Sequence, residues 1–267
     1  MQNNAMDDRQ RALAFLNQDV LKNIVLLKML QAYSSVIDCY YAEAASGAGV
    51  LLLLHTAAFA FDRQTYPTTK TVVLLSTRGP AVAQTLLPFV PTTHNLVFKL
   101  NDPQDAQLID QIFRPQRVTA YLSYTAPTGK QWSPAPDVLV AEQLDEQCLA
   151  LYVAQGHAHA DVVHWFATQQ ALSFTRYEQG APVATCFAYR NFGAVWEIGG
   201  VFTVASARRK GYAQAVVQTA LHQLGEQGCV PRYQVHEENL PSIRLAAALG
   251  LYRFLTVEHF LYEAVTS

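Results

Sequence analysis

The stretch from Glu197 to Ala213, EIGGVFTVASARRKGYA, constrains this chain more than any other. Its first part reads as an extended segment. Val195, Glu197, Val201 and Thr203 fall on one face, and Trp196, Ile198, Phe202 and Val204 on the other. Gly199 and Gly200 interrupt it, and paired glycines inside a strand point to a bulge or to a ligand backbone passing close by. Beyond Ala205, Ser206 and Ala207 comes a basic turn, Arg208-Arg209-Lys210-Gly211-Tyr212-Ala213. Val216, Val217, Ala220, Leu221 and Leu224 then recur at helical steps. A turn of cations and small residues on a helix N-terminus offers free N–H groups and a positive dipole end, which is an anion site suited to phosphate.

These residues resemble the signature of the GNAT acyltransferases, in which a strand, Arg/Gln-x-x-Gly-x-Gly/Ala and a helix cradle the pyrophosphate of coenzyme A. Arg208, Gly211 and Ala213 hold the three defining positions. Trp196 to Ile198 and the later HEENLPSIRLAAALGLY (His236 to Tyr252) are most similar to the FR47-like and glycine N-acyltransferase branch. The resemblance covers about Asp137 to Glu263. It implies main-chain contacts from Phe202 and Val204, around Thr203, to the pantetheine arm. It also implies that Arg209, Lys210, Gly211, Tyr212, Ala213 and Gln214 surround the pyrophosphate, and that Asn239 and Ser242 match an Asn-x-x-Ser/Ala segment beside the arm. Asn239 also reads as a helix cap with Pro241 in the first turn, and the two roles are compatible.

Composition bounds the alternatives. The chain has 267 residues, long enough for two domains, and 51% hydrophobic content suits a packed protein. A net charge of −2 without a long basic run argues against nucleic acid or an anionic membrane as the main partner. Cys39, Cys148, Cys186 and Cys229 lie far apart, which suits reduced thiols in the cytoplasm. The polar start MQNNAMDDRQR is unlike a signal peptide, and the most apolar run, Gly49 to Phe61, is too short to span a bilayer.

The expected fold is mixed α/β (α+β): a GNAT unit with a mostly antiparallel sheet flanked by helices, after an additional N-terminal α/β domain. Helices are expected within Asp7 to Tyr33, with Asp7 and Asp8 at the start, then in a further stretch broken at Ser46-Gly-Ala-Gly, at Ala81 to Leu87 and at Pro103 to Phe113. Strands are expected at Val50 to Leu54, Val72 to Ser76, His94 to Leu100 and Val118 to Tyr124. Ala126 to Asp137, with three prolines and a glycine, reads as the boundary between domains at 1–130 and 137–267. In the second domain, Ala160 to Ala171 reads as a helix. A hairpin follows around Glu178 to Pro182, then the strand at Glu197, a strand from Tyr233, a helix at Leu240 to Leu249 and a strand at Leu255 to Tyr262. Leu74 to Leu87 also runs strand, turn, helix. The first domain is therefore open to two readings, as a degenerate GNAT unit without Arg-x-x-Gly-x-Gly/Ala or as a helper that shapes the acceptor pocket.

For chemistry, Glu197 is the candidate general base, since a carboxylate on a half-buried strand can be tuned toward the working pH. Glycine N-acyltransferase-like sequences carry a glutamate at the matching place. Many relatives have a tyrosine that protonates the thiolate where this chain has Ala246. Tyr252 and His236 are alternative proton donors, and the thiolate can also leave unprotonated. Ala205 stands where the family usually has proline. His157 and His159 read as a solvent-facing pair on a strand rather than metal ligands, and no metal is expected. The expected co-substrate is acetyl-CoA or another acyl-CoA. The expected activity is direct acyl transfer to a primary amine of a small molecule or amino acid, and a homodimer is compatible with it. The alternatives are a non-catalytic acyl-CoA-binding or sensing protein and a protein acetyltransferase with an open groove.

Overall fold

The computed structural model describes residues 2–45 and 47–264, the side chains of residues 2–7 excepted. The chain divides into two compact units: residues up to Tyr121 with those from Leu255 onward, and Leu122 to Phe254.

The first unit opens with helices α1 (Gln2–Leu16) and α2 (Ile24–Ala32). Because α1 begins at Gln2, Asp7 and Asp8 lie past its first turn rather than at its start. Strands β1 (Ile37–Ala44) and β2 (Gly47–His55) then form a hairpin, with Ala44 opposite Gly47. A strand thus replaces the helical stretch expected before residue 46; Ser46 itself lies outside the described residues. Cys39, Tyr40 and Tyr41 suit a strand whose residues Ile37–Tyr41 pair with the buried run Leu54–Val50. After α3 (Ala60–Thr65), strand β3 (Thr71–Thr77) lies antiparallel to β2 and parallel to β4 (Leu96–Leu100), with α4 (Pro80–Leu86) between β3 and β4. Helix α5 (Pro103–Phe113) is capped by Asp102, which accepts from the Gln104 N–H at 2.9 Å, with Pro103 in the first turn. Its Ile109 and Phe113 meet Val73, Leu75, Leu86 and Phe98 in one core. Strand β5 (Gln116–Thr125) crosses from this unit into the next, and β11 (Tyr252–Tyr262) crosses back to pair antiparallel with β4.

In the second unit the strand order is β5-β10-β9-β8-β7-β6. Strands β6 (Leu139–Ala141), β7 (Ala171–Glu178), β8 (Ala181–Phe192) and β9 (Val195–Thr203) are antiparallel neighbours, whereas β10 (Val230–His236) is parallel to β9. Helices α8 (Tyr212–Glu226) and α9 (Leu240–Ala248) cover one face, where Val216, Val217, Ala220, Leu224 and Ala246 pack on Cys186, Ala188, Ile198 and Tyr233. Helices α6 (Glu146–Ala154) and α7 (His159–Ala167) cover the other, with Tyr152, Val162 and Phe166 on Phe187 and Tyr189. The proline-rich stretch 126–137 lies inside this unit, where Trp132 Nε1 donates to the Leu249 carbonyl at 3.2 Å.

Candidate functional site

The site is built along β9. Its register against β8 runs from Glu197–Tyr189 to Gly199–Phe187, then resumes at Phe202–Thr185. Gly200 and Val201 therefore stand opposite the single residue Cys186. Gly200 has φ +61°, the left-handed conformation of a glycine bulge. The extra residue reverses the alternation. Val201 packs with Trp196 and Ile198 against the α8/α9 core, not on the face of Glu197 as unbroken period-two counting expects. A Cβ at Gly200 would lie 2.4 Å from Phe187 Cε1 and 2.8 Å from Tyr152 Cδ1. The backbone is in close contact with the aromatic rings here, and glycine is required.

On its other edge β9 pairs with β10 from Val195–Val230 to Ile198–Tyr233. Among the described residues that pairing ends there, although β9 continues to Thr203 and β10 to His236. The parallel strands thus part just where the bulge begins. The turns that follow them, leading into α8 and α9, start at the two tips of the opening.

From the end of β9, the Val204 N–H donates to the Val183 carbonyl at 3.0 Å, and a short 3-10 turn (Ala205–Ala207) leads to the basic residues. Arg209 (φ +65°) and Gly211 (φ +81°) are both left-handed. Alternation of this kind turns successive N–H groups toward a common point, an anion-binding nest. Gly211 is the N-cap of α8 and makes no side-chain capping bond, so the helix's first N–H groups are not used by a cap. Arg208, Arg209 and Lys210 are exposed, and Arg208 Nε donates to the Thr203 carbonyl at 3.2 Å. Tyr212 fixes the first residue of α8: its hydroxyl donates to Glu178 Oε1 at 2.6 Å, and the Arg176 guanidinium lies 4.0 Å over its ring. The Thr203 hydroxyl is buried without a hydrogen-bond partner. Phe202, Thr203, Val204, Arg208–Ala213 and Gln214 thus form one continuous surface from the opening to the helix. The Val204 N–H is already used by Val183, so the donors that suit a diphosphate are those of the basic turn and the first turn of α8.

Asn239 and Ser242 stand at the tip of β10. Asn239 Oδ1 accepts from the Ser242 N–H at 3.2 Å, the geometry of the helix cap. Ala246 is wholly buried in the core beneath them. Of the two alternative proton donors, Tyr252 is half exposed on β11, and His236 Nδ1 accepts from the Glu238 N–H at 3.3 Å. No motif singles out Tyr233, which lies on the last paired rung before the strands part. Its phenol is 3% exposed, hydrogen-bonds Ser242, and is pushed up to about 12 by burial.

Glu197 lies on the opposite face, toward α6 and α7. Its Oε2 accepts from Asn191 Nδ2 at 2.5 Å and from Arg232 Nη1. Arg232 is 3% exposed and its Nη2 donates to Ser123 Oγ at 3.1 Å, so β5, β10 and β9 are tied through one guanidinium. Burial around Glu197 favours a neutral carboxyl, whereas the adjacent Arg232 cation favours the charged form. His157 and His159 are not a strand pair. His157 sits in the turn after α6, half-buried against Phe187, with ring centroids 5.0 Å apart, while His159 is exposed at the start of α7. Burial draws the His157 imidazole below its ordinary value, and the Glu197 carboxylate acts in the opposite sense. Among the described residues no cluster of three or more His, Cys, Asp or Glu is placed to hold a metal. No helix among them is long and apolar enough to cross a membrane.

Solved structures share this architecture at low identity. A GCN5-related N-acetyltransferase from Sphaerobacter thermophilus superposes with TM-score 0.56 at 12% identity, covering 81% of this chain and 76% of that one. One from Kribbella flavida gives 0.55 at 17% identity, covering 88% and 93%. A tandem GNAT protein from the clavulanic acid biosynthesis pathway gives 0.52 at 12% identity, covering 94% and 96%. No curated protein matches the chain in sequence. The acetyltransferase (GNAT) family matches residues 117–251, about half of the chain and including the bulge, the basic turn and α9, and the chain belongs to that family of transferases.

Proposed function

We propose that this protein is an acyl-CoA-dependent N-acyltransferase, in its simplest form an N-acetyltransferase. The acceptor is the primary amine of a small molecule or amino acid. The observation that carries this reading is the parting of β9 from β10 at the bulge, between an uncapped helix N-terminus and Glu197. Acetyl-CoA is the family's co-substrate and supplies the activated acyl group. Arg208, Arg209 and Lys210 provide charge for the diphosphate, and the N–H groups of Gly211, Tyr212, Ala213 and Gln214 provide donors. The main chain at Phe202–Val204 lines the path of the arm, with Asn239 and Ser242 across the opening. Glu197 attracts the acceptor ammonium and takes its proton, directly or through a water. The similarity of Trp196–Ile198 and His236–Tyr252 to the glycine N-acyltransferase-like branch supports a small acceptor.

The first unit fits a degenerate copy of the same fold. It repeats the order of β-hairpin, parallel strand and intervening helix, and the tandem GNAT neighbour supports this reading. Among the described residues its turn after β3 carries one basic residue, Arg78, where the turn after β9 carries three, and α4 is only seven residues long.

Thiol release on mixing acetyl-CoA with a panel of primary amines tests the activity. Glu197→Gln is expected to lower turnover at least a hundredfold while leaving acetyl-CoA affinity within threefold. Unchanged turnover across the pH range removes Glu197 from the mechanism. Ala246, at the place of the family's usual tyrosine, favours a second reading, a non-catalytic acyl-CoA sensor. Calorimetric binding of acetyl-CoA without thiol release from any amine would establish that reading instead.

A further inference from the structure

Helix α6 ends in a Schellman motif. The Gly156 N–H, at φ +91°, donates to the Val153 carbonyl at 2.9 Å, and the His157 N–H donates to the Tyr152 carbonyl at 3.2 Å. This cap turns the His157 ring onto the sheet. The ring meets Phe187 edge-on, with an interplanar angle of 76°, and its Cε1 lies 3.8 Å from where a Cβ would stand at Gly199. The imidazole thus stands at ordinary van der Waals distance from that position, beside the Phe187 ring edge at 3.4 Å. Gly199 is two residues along β9 from Glu197 and on the same face, a separation of about 7 Å.

Among the described residues, the charged group that acts on His157 is Glu197 of β9, which is itself paired with Arg232 of β10; exposed His159 follows on α7, Phe187 of β8 carries no charge, and the Tyr152 hydroxyl of α6 is bound to Thr185 and the Cys186 carbonyl. Glu197 already holds two donors on one oxygen. A carboxylate in that position draws an ammonium well but needs an outlet for the proton it captures.

We propose that His157 is that outlet, a relay residue acting through Glu197; the inference rests on the acyl-transfer reading of the site. The acceptor N–H bond breaks as its proton passes to the Glu197 carboxylate. The resulting carboxylic O–H breaks in turn as the imidazole nitrogen of His157 takes the proton, directly or through one water. The imidazolium then releases it to solvent, restoring both groups. A histidine that is neutral near pH 7 suits this task.

The test uses the whole chain with labelled histidine. NMR titration of the His157 Cε1–H resonance, assigned with His157→Gln, is expected to give a midpoint that falls by at least 0.5 pH unit in Glu197→Gln. A midpoint that does not move overturns the relay alone. With acetyl-CoA and the amine panel, His157→Gln and His157→Phe are each expected to lower kcat at least tenfold at an unchanged KM for acetyl-CoA. The acid limb of the wild-type pH profile should track the His157 midpoint and disappear in both variants. His157→Phe keeps the ring contact with Phe187, so wild-type kcat in that variant also overturns the relay. Absence of thiol release by the wild type with every amine overturns the acyl-transfer reading, and the relay with it.

Discussion

Asp105 holds Thr77 with both carboxylate oxygens: Oδ1 accepts from the hydroxyl at 2.5 Å and Oδ2 from the backbone N–H at 3.2 Å. Thr77 ends β3 as Thr203 ends β9, so in the first unit a side chain of α5 occupies the main-chain donor at the strand tip. In the second unit the threonine hydroxyl at that tip is unpaired. The first unit thus satisfies with its own carboxylate a strand tip at which the second leaves a buried hydroxyl without a partner.

Burial raises the Asp105 carboxyl to about 6, so the folded chain binds this proton more tightly than the unfolded one. Its contribution to stability is therefore greatest below pH about 4 and declines as pH rises to about 6, by roughly 2–3 kcal/mol. Urea unfolding from pH 4 to 7 should show this decline in the wild type. Asp105→Asn should show a flatter profile, whatever its absolute stability.

Gly200 and Gly211 share a left-handed backbone but differ in their surroundings. Gly200→Ala meets Phe187 and Tyr152, both fully buried, and should cost at least about 2 kcal/mol and abolish acetyl-CoA binding. Nothing lies within 4 Å of a Cβ at Gly211, so Gly211→Ala should cost only the backbone strain, about 1–2 kcal/mol. Thermal unfolding and calorimetry on both variants check the contrast.

Arg209 is a non-glycine residue at φ +65°. If main-chain N–H groups hold the diphosphate, Arg209→Gly should keep coenzyme A affinity within tenfold. Stability should change by less than about 1 kcal/mol, because relief of strain offsets the greater freedom of the unfolded chain. Calorimetry showing a larger loss of affinity would assign the grip to the guanidinium instead.

Restoring a tyrosine at position 246 should not restore a proton donor. Ala246 has no exposure and packs with Tyr233, Leu249 and Val216. Ala246→Tyr overfills that core and should lower stability by about 1–3 kcal/mol without raising turnover, as unfolding and thiol-release assays would register.

The second unit was legible in the sequence wherever a local rule decided the outcome. The helix periodicity from Val216, the paired glycines and the Asn239–Pro241 cap each correspond to an observed element. In the first unit, Pro103 to Phe113 matches α5 residue for residue. What was hidden depended on contacts remote in sequence. Strand β1 was read as helical because its pattern acquires meaning only beside Val50–Leu54. The faces of Val201 and Phe202 depended on a one-residue bulge that composition suggests but does not place. Arg232 carried no motif, and its partners Glu197 and Ser123 lie 35 and 109 residues away. His157 did leave a local trace, since Gly156 after the helical residues 146–154 marks a C-cap and the residue after it turns inward.

Strand β4 receives its neighbour β11 from beyond the second unit in sequence, with Leu96 opposite Tyr262. The first unit is thus completed only after every residue of the second has been made. Until residues beyond 255 emerge, the β4 edge has no such neighbour to bond. Translation that stops after residue 254 would deliver every residue of the second unit and leave the first with an open flank, exposed to association with other chains.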